Sequence, residues 1–330
     1  MTRHLTSRAV LGALAFGATL VAGPAFAQPL HLKIASPSPA GGFDTVMAQK
    51  IADKMKARLG DQFTYELFDN ATIGDEVVHM QQVRTGQIDM TPLGSDAVSL
   101  NPVWSIFDMP FIFADRAAVA KALDGPFGQE LADSMREKAG LEVLAFGEIG
   151  FRQITNSVRP IKTPADFKGM KIRVPGSETR MLTFKTLGAT PVNMNFGEVF
   201  LALQNKTIDG QENPLNDIVE RSLNEVQPNI SISNHVYTPI TFVMNARKFA
   251  ALPDDQKAML KEAALESAKE IRELGAAKDV ELLATLKKAG KNEIIEIDRA
   301  SFIAAAQPLY EQIGAIAGGT YAVDLLNAVK

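Results

Sequence analysis

Cysteine is absent from all 330 residues, which excludes disulfides, thiolate metal sites and a cysteine nucleophile. Stability therefore has to come from an apolar core. Histidine is scarce: His4, His31, His79 and His235 are the only four. None falls in an HExxH pattern or at metal-ligand spacing from another ligand, so no metal site is implied. Walker A, G-x-G-x-x-G and G-x-S-x-G patterns are missing after residue 27, which removes sequence support for nucleotide binding and serine-hydrolase chemistry. The apolar run from Ala9 to about Val21 falls short of the roughly 20 residues a membrane-spanning helix needs. An excess of positive charge is missing too. Without Arg3 and Arg8 the 34 basic residues become 32 against 38 acidic ones, a net charge of −6, which disfavours a nucleic-acid partner.

What is present begins with a leader. Arg3, His4 and Arg8 precede the short apolar segment, and Ala25-Phe26-Ala27 follows it before Gln28, the pattern of a secretory signal peptide cleaved after about Ala27. No cysteine starts the chain beyond that point and no twin arginine precedes it, so export by the general secretory route, not as a lipoprotein, is expected. The remaining chain is long enough for two lobes, each burying its own core.

Strand-like and helix-like segments alternate through residues 28–330, the pattern of an α/β fold with mostly parallel sheets. Residues 30–35 alternate as a strand. Met47, Ile51, Met55 and Leu59 then recur every four residues, an amphipathic helix with Asp44 as its expected N-cap and Gly60 as its stop. Gly74-Asp75-Glu76 opens a second helix that ends near Gly86. The segments VRTGQIDM (83–90) and LQNKTIDG (203–210) share a plan of helix, turn and Ile-Asp, a faint echo between two related halves or a chance likeness. Pro253 to about Ala289 reads as a long helix with Met259, Ala263, Ile271, Leu274, Leu282 and Leu286 on one stripe. Its roughly 50 Å length exceeds one lobe, so it braces both or kinks at Gly275. No Pro-rich or Gly/Ser-rich linker separates the halves.

Nothing demands catalysis. The acidic pairs Asp75-Glu76 and Asp254-Asp255 sit at helix starts, where they complement the helix dipole. Binding is better supported. Arg152 lies in FRQITN, Arg173 in GMKIRVP, Phe196 in NMNFGEVF and Asn213 in DGQENPL. A guanidinium presents a rigid fork of donors matched to a carboxylate, a phenyl ring gives a flat apolar wall, and an asparagine donates from its amide. Pro214 biases Asn213 toward an extended backbone.

These motifs, in this order, resemble the solute-binding proteins of tripartite ATP-independent periplasmic (TRAP) transporters, the DctP family. The likeness extends through GDE, PFIFAD, TPADFKGMKIRVP, IDGQENP and LPDDQK. Lys206 departs from it, standing where the family often has glycine. The resemblance implies a two-lobed periplasmic binding protein fold with a ligand cleft between lobes and a long helix bracing both. Lobe I would comprise residues 28–150 plus about 239–278, and lobe II about 151–238 plus about 279–330, joined by several crossing segments. It implies that Arg173 meets the ligand carboxylate, with Arg152, Asn213, Phe196 and Glu76 as further contacts. Asn70 and Ser95 join them as candidates because they lie in loops at the carboxyl ends of strands; Asp69, Asp96 and Arg180 are weaker ones, and Trp104 is expected in the core. The implied function is capture of an organic acid in the periplasm, as a monomer without cofactor, and its delivery to integral membrane subunits. A sugar acid would use Asp69, Asn70, Glu76 and Asn195, whereas a C4-dicarboxylate would need Arg152 or Arg180 as a second cation. An ABC-type binding protein and a periplasmic lyase or hydrolase are the competing readings.

Overall fold

The computed structural model describes Met1 and residues 29–329; the expected leader and its cleavage site lie outside them. The chain begins with β1 (Leu30–Ala35), in which Leu30, Leu32 and Ile34 are buried while His31 and Lys33 face solvent, the period of two legible in the sequence. It continues through α1 (Phe43–Leu59), β2 (Phe63–Phe68), α2 (Glu76–Thr85), β3 (Met90–Leu93), α3 (Arg116–Leu123), α4 (Pro126–Ala139) and β4 (Leu141–Phe146). It then crosses into a second sheet with β5 (Gly150–Asn156), β6 (Lys171–Val174), α5 (Glu178–Thr186), β7 (Thr190–Asn193), α6 (Val199–Gln204), β8 (Gly210–Pro214), α7 (Leu215–Glu220) and β9 (Asn229–Ile232). The return runs through β10 (Tyr237–Thr238), β11 (Thr241–Asn245) and α8 (Ala246–Ala251). Last come α9 (Asp254–Ala289), β12 (Glu293–Glu296), α10 (Arg299–Ala317) and α11 (Tyr321–Ala328).

Both lobes are built on one plan. Lobe I orders its strands β2-β1-β3-β11-β4, and lobe II orders them β7-β6-β8-β5-β9-β12 with β10 pairing on β5. In each, a βαβαβ unit supplies three parallel strands, and a strand from elsewhere in the chain, β11 or β5, pairs antiparallel beside them. The two Ile-Asp segments occupy equivalent places. Asp89 accepts the Lys33 N–H at 2.6 Å, and Asp209 accepts the Lys171 N–H at 2.7 Å. Each aspartate returns its own N–H to the same lysine's carbonyl at 2.8 Å. The turn before them requires a left-handed residue. Gly86 supplies it in lobe I (φ 80°) and Lys206 in lobe II (φ 55°), so the lysine keeps the turn at a steric cost glycine would avoid.

α1 starts two residues earlier than expected, at Phe43. Gly42 is its N-cap, and Asp44 lies inside the first turn without capping it. Asp75 is the cap of α2, accepting the Val78 N–H at 3.1 Å, which leaves Glu76 free for another role.

Three segments cross between the lobes before α10. Two are the strand connections β4–β5 and β10–β11, which bond to one another through Gly147 N–H to the Ile240 carbonyl (2.8 Å) and Ile149 N–H to the Thr238 carbonyl (3.1 Å). The third is α9, 36 residues in one unbroken helix. Leu260, Ala263, Ala264, Ala268 and Ile271 pack into the lobe I core with Met47, Ile51 and Phe242; Leu282 and Leu286 pack into lobe II with Val199, Ile208 and Ile218. Leu274 is 39% exposed, off the expected stripe. Gly275 takes the inward position and marks a close approach in place of a kink. A Cβ there would sit 2.3 Å from Glu148 Oε1. Glu148 is fully buried between β4 and β5, accepts two bonds from Arg116 Nε (2.8 and 3.0 Å) and one from Tyr237 (3.3 Å), and shares Arg116 with Asp279 of α9. This cluster ties α3, both hinge strands and α9 together.

The C-terminal division differs from expectation. Phe302 of α10 joins the lobe II core, but Ala306, Leu309, Ile313, Ala317 and Leu325 pack with Val103, Phe107 and Leu131 of lobe I. The chain crosses back within α10 because its apolar positions suit either core, so residues beyond about 305 belong with lobe I.

Substituting Gly275→Ala should destabilise the protein by about 1–3 kcal/mol, since the Cβ overpacks a buried, already paired carboxylate. Thermal unfolding measures this; a wild-type Tm would mean that the Glu148 anchor yields without cost.

Candidate functional site

The cleft lies where the carboxyl ends of the parallel strands of both lobes meet, the position α/β folds reserve for ligands. It is a cavity of about 240 Å³ lined from lobe I by Ser38, Asp44, Glu76, Ser95 and Asp96, and from lobe II by Arg152, Arg173, Asn195, Phe196, Asn213, Asp217 and Arg221. That is small beside the ~300–1,000 Å³ of drug-sized ligand sites. Strand alternation sets the facing: Arg152 turns into the cleft, while its neighbours Phe151 and Gln153 line a larger cavity of about 510 Å³ behind β5. Arg152, Arg173, Phe196 and Asn213 do not line that rear cavity, and its Arg116 is already paired with Glu148 and Asp279.

The three buried arginines divide into two kinds. Arg152 gives its Nε and Nη2 to the Glu212 carboxylate, and Nη2 also reaches the Glu212 carbonyl (2.6 Å) and Asn213 Oδ1 (2.7 Å). Arg180 is committed to Asp108 (2.6 Å) and Glu212 (2.7 Å) and is fully buried outside the cleft. Ser177 and Thr179 donate to the same Asp108. Burial alone would raise the Glu212 carboxyl, but Arg152 and Arg180 outweigh it and hold it far below the usual carboxylate range.

Arg173 is different. It is 3% exposed, and its Nε and Nη2 both donate to the Met194 carbonyl at 2.9 and 2.7 Å. No carboxylate among the described residues lies at ion-pair distance. Burial lowers its pKa to about 10, against the opposing pull of Asp96, so it stays charged at neutral pH. Its guanidinium carbon lies 5.3 Å from the centre of the Phe196 ring. A carbonyl aims it, a phenyl ring flanks it and no counter-ion neutralises it, which is the arrangement of an anion receptor.

The remaining sequence candidates separate clearly. Glu76 lines the cleft and accepts the Gly94 N–H at 2.7 Å, and Ser95 lines it with a buried hydroxyl that has no partner among the described residues. Asn213 lines it too, with its Oδ1 taken by Arg152 and its Nδ2 donating to Gln211 at 2.6 Å. Asn70 does not belong. It is exposed and lines a shallow recess with Pro39 and Glu220, because the turn carrying Asn70 and Ala71 at positive φ swings its side chain outward. Asp69 is likewise outside the cleft lining, and Trp104 is core, donating to Thr241 Oγ1 at 3.0 Å.

Sequence reasoning missed Asp44, Asp217 and Arg221. Asp217 of α7 and Arg221, the residue that ends it, are four apart, a spacing that puts both on one side of a helix, whereas Asn213 comes from β8. Arg221 stacks 4.2 Å from the Phe196 ring centre and donates across the lobes to the Pro37 carbonyl at 2.7 Å. Asp96 makes another interlobe contact, accepting the Gly176 N–H. Burial raises the carboxyls of Glu76, Asp96 and Asp217, and that of Asp44 to about 7, with Asp217 adding to the Asp44 shift.

A two-lobed protein whose cleft carries an unpaired buried guanidinium belongs to the class of solute-binding proteins for small anions. Residues 39–315 match the family described as bacterial extracellular solute-binding protein, family 7 (DctP), and the chain belongs to that family. It is 38% identical over 258 residues to the 2,3-diketo-L-gulonate-binding periplasmic protein YiaO of Escherichia coli, covering 78% of each chain. Its fold superposes with a TM-score of 0.88 and 30% identity on the sugar acid binding protein DctPAm of Advenella mimigardefordensis in complex with galactonate, over 92% of this chain and 98% of that one. A TRAP periplasmic solute-binding protein of Sulfurospirillum deleyianum with bound succinate gives a TM-score of 0.85 at 28% identity, over 92% and 100%. The chain is thus a TRAP-type solute-binding protein; members of this family serve transporters and are not enzymes. No helix among the described residues is long and apolar enough to cross a membrane.

A carboxyl raised in the folded state costs stability once it must ionise. Asp44 has an ordinary value of 3.8 and a folded value of about 7, so its penalty grows from pH 4 to 7 and is complete above 7. Asp44→Asn should therefore raise the ligand-free Tm most at pH 8, with the gain shrinking as pH falls toward 4. A pH-independent gain would contradict the shift.

Proposed function

We propose that this protein captures a small organic acid in the periplasm through Arg173 and delivers it to the membrane subunits of a TRAP transporter, and that the acid is a monocarboxylate sugar acid, a uronate or aldonate. The observation that carries the anion site is the buried, unpaired Arg173 beside Phe196. The sugar-acid reading draws on the cleft's balance. Of its other two arginines, Arg152 is neutralised by Glu212, and the wall carries Asp44, Glu76, Asp96 and Asp217, acceptors that suit hydroxyl donors and repel a second carboxylate. Relatives that bind galactonate and 2,3-diketo-L-gulonate support it. The second reading, a C4-dicarboxylate, has the succinate-bound neighbour and the cleft-facing Arg152 in its favour. Export after cleavage near Ala27 and action as a monomer without nucleic-acid partner belong to the same proposal.

The test is a thermal-unfolding screen of the protein, refolded to strip carried-over ligand, against uronates, aldonates, C4-dicarboxylates, amino acids and neutral sugars. A ligand at 100 times its Kd adds about 2.7 kcal/mol. Stabilisation by uronates or aldonates above succinate is expected; the reverse order selects the dicarboxylate, and response to uncharged solutes alone overturns the anion site.

Two arginine variants separate clamp from scaffold. Arg173→Ala should weaken acid binding roughly 30- to several-thousand-fold, from the ~2–5 kcal/mol lost with one partner of a desolvated pair, without lowering the ligand-free Tm. Arg152→Ala should lower the ligand-free stability, by less than the ~3–5 kcal/mol of a fully broken buried pair because Arg180 still holds Glu212. Calorimetry and unfolding read the two; equal stability losses would remove the distinction.

A further inference from the structure

We propose that Asp44 and Asp217 are a hydroxyl-reading pair: two carboxylates, one on each lobe and facing the same cavity, that make closure depend on a ligand with hydroxyl groups for both. The inference rests on the sugar-acid reading and deepens it by assigning the selectivity to two residues.

Asp44 comes from the first turn of α1 in lobe I and Asp217 from α7 in lobe II, and both line the cleft. Asp44 accepts the Ser38 hydroxyl on Oδ2 at 2.8 Å, but its Oδ1 is buried with no partner among the described residues. The Asp217 carboxylate has neither a hydrogen bond nor an ion pair among them. The nearby cation does not resolve this, since Arg221 gives one donor to the Pro37 carbonyl and its face to Phe196. Two incompletely satisfied carboxylates are thus brought near one another by closure itself, and like charges on opposing lobes resist it.

Three kinds of ligand group would meet such a pair. A carboxylate adds negative charge beside Asp217 and the ionised fraction of Asp44. An ammonium would suit two free anions, but Arg221 already offsets one of them, and burial together with Asp217 holds much of Asp44 protonated near neutral pH. Hydroxyls remain: each donates to one carboxylate without bringing charge, and a polyol reaches both lobes at once. Ligand selection then becomes conformational, because only a solute that satisfies both carboxylates removes the opposition to closure.

The test compares wild type with Asp44→Asn and Asp217→Asn by calorimetry at pH 8, using D-galactonate, D-glucuronate, lactate, succinate and 4-aminobutyrate as probes. Each variant should lose 10- to 100-fold in affinity for the sugar acid that wild type binds, the range of a hydrogen bond to a charged group, while lactate binding stays within threefold. Asp217→Asn should also gain affinity for succinate. In small-angle scattering the ligand-free variants should be more compact than wild type. Unchanged sugar-acid affinity overturns the pair while leaving the sugar-acid reading intact, and an equal fall for lactate reduces the role to general structure. Preference of wild type for 4-aminobutyrate overturns the hydroxyl assignment. If wild type binds succinate and neither sugar acid, both readings fall.

Discussion

Removing a guanidinium from water is tolerable only when a carboxylate or a full set of acceptors replaces the solvent. This protein buries Arg152, Arg173 and Arg180 in one region and supplies ion-pair partners to two of them. Asp108, Arg180, Glu212 and Arg152 form an alternating chain of charges with almost no solvent contact. That chain runs from the 102–108 segment through α5 to β8 and β5, so it fixes the floor of the cleft. Arg173 stands beside it, held by a backbone carbonyl that aims the guanidinium without neutralising it. The paired arginines hold Asp108 and Glu212 in place, so neither of those carboxylates neutralises Arg173.

The same economy governs the hinge. Each lobe is a βαβαβ unit closed by an antiparallel strand, and the strand that reaches lobe II is the continuation of one that leaves lobe I. Rotation between lobes must therefore be absorbed in the short stretches around residues 147–149 and 239–240, along α9 and within α10. Glu148 sits at that point with Arg116, Tyr237 and Asp279 around it and Gly275 making room. A hinge anchored by a buried ion cluster favours a few discrete arrangements over continuous flexing.

Much of this was legible in the sequence. Arg173, Arg152, Phe196, Asn213, Glu76 and Ser95 all reach the cleft, and the alternating elements, the long α9 and the repeat around Asp89 and Asp209 follow from local pattern. What was not legible depends on contacts distant in sequence. Arg152 is neutralised by a residue 60 positions away, and nothing near Arg180 in the chain announces Asp108, 72 positions away. Asp44 lies two positions beyond the actual cap, Gly42: an acid just before a helix is a cap, whereas one inside the first turn projects elsewhere. Asn70 failed because the backbone there takes positive φ, a choice its sequence permits but does not compel. The apolar face of α10 suits either core, so its return to lobe I could not be read from periodicity.

An anion-binding cleft walled with carboxylates looks self-defeating, because every acid near Arg173 lowers the local potential and with it the affinity for any anion. Specificity, however, is a difference of affinities. A wall of acceptors that weakens all carboxylates equally can still return more to a ligand whose hydroxyls satisfy it, and return nothing to one that is charged at both ends or bare. Burial sharpens the contrast. Where a bound solute covers an acceptor without meeting it, the loss is about 1–3 kcal/mol, so an unmet carboxylate acts against the wrong solute as a met one acts for the right one. On the reading proposed above, the unpaired arginine selects for an acid, and the unpaired acids decide which acid.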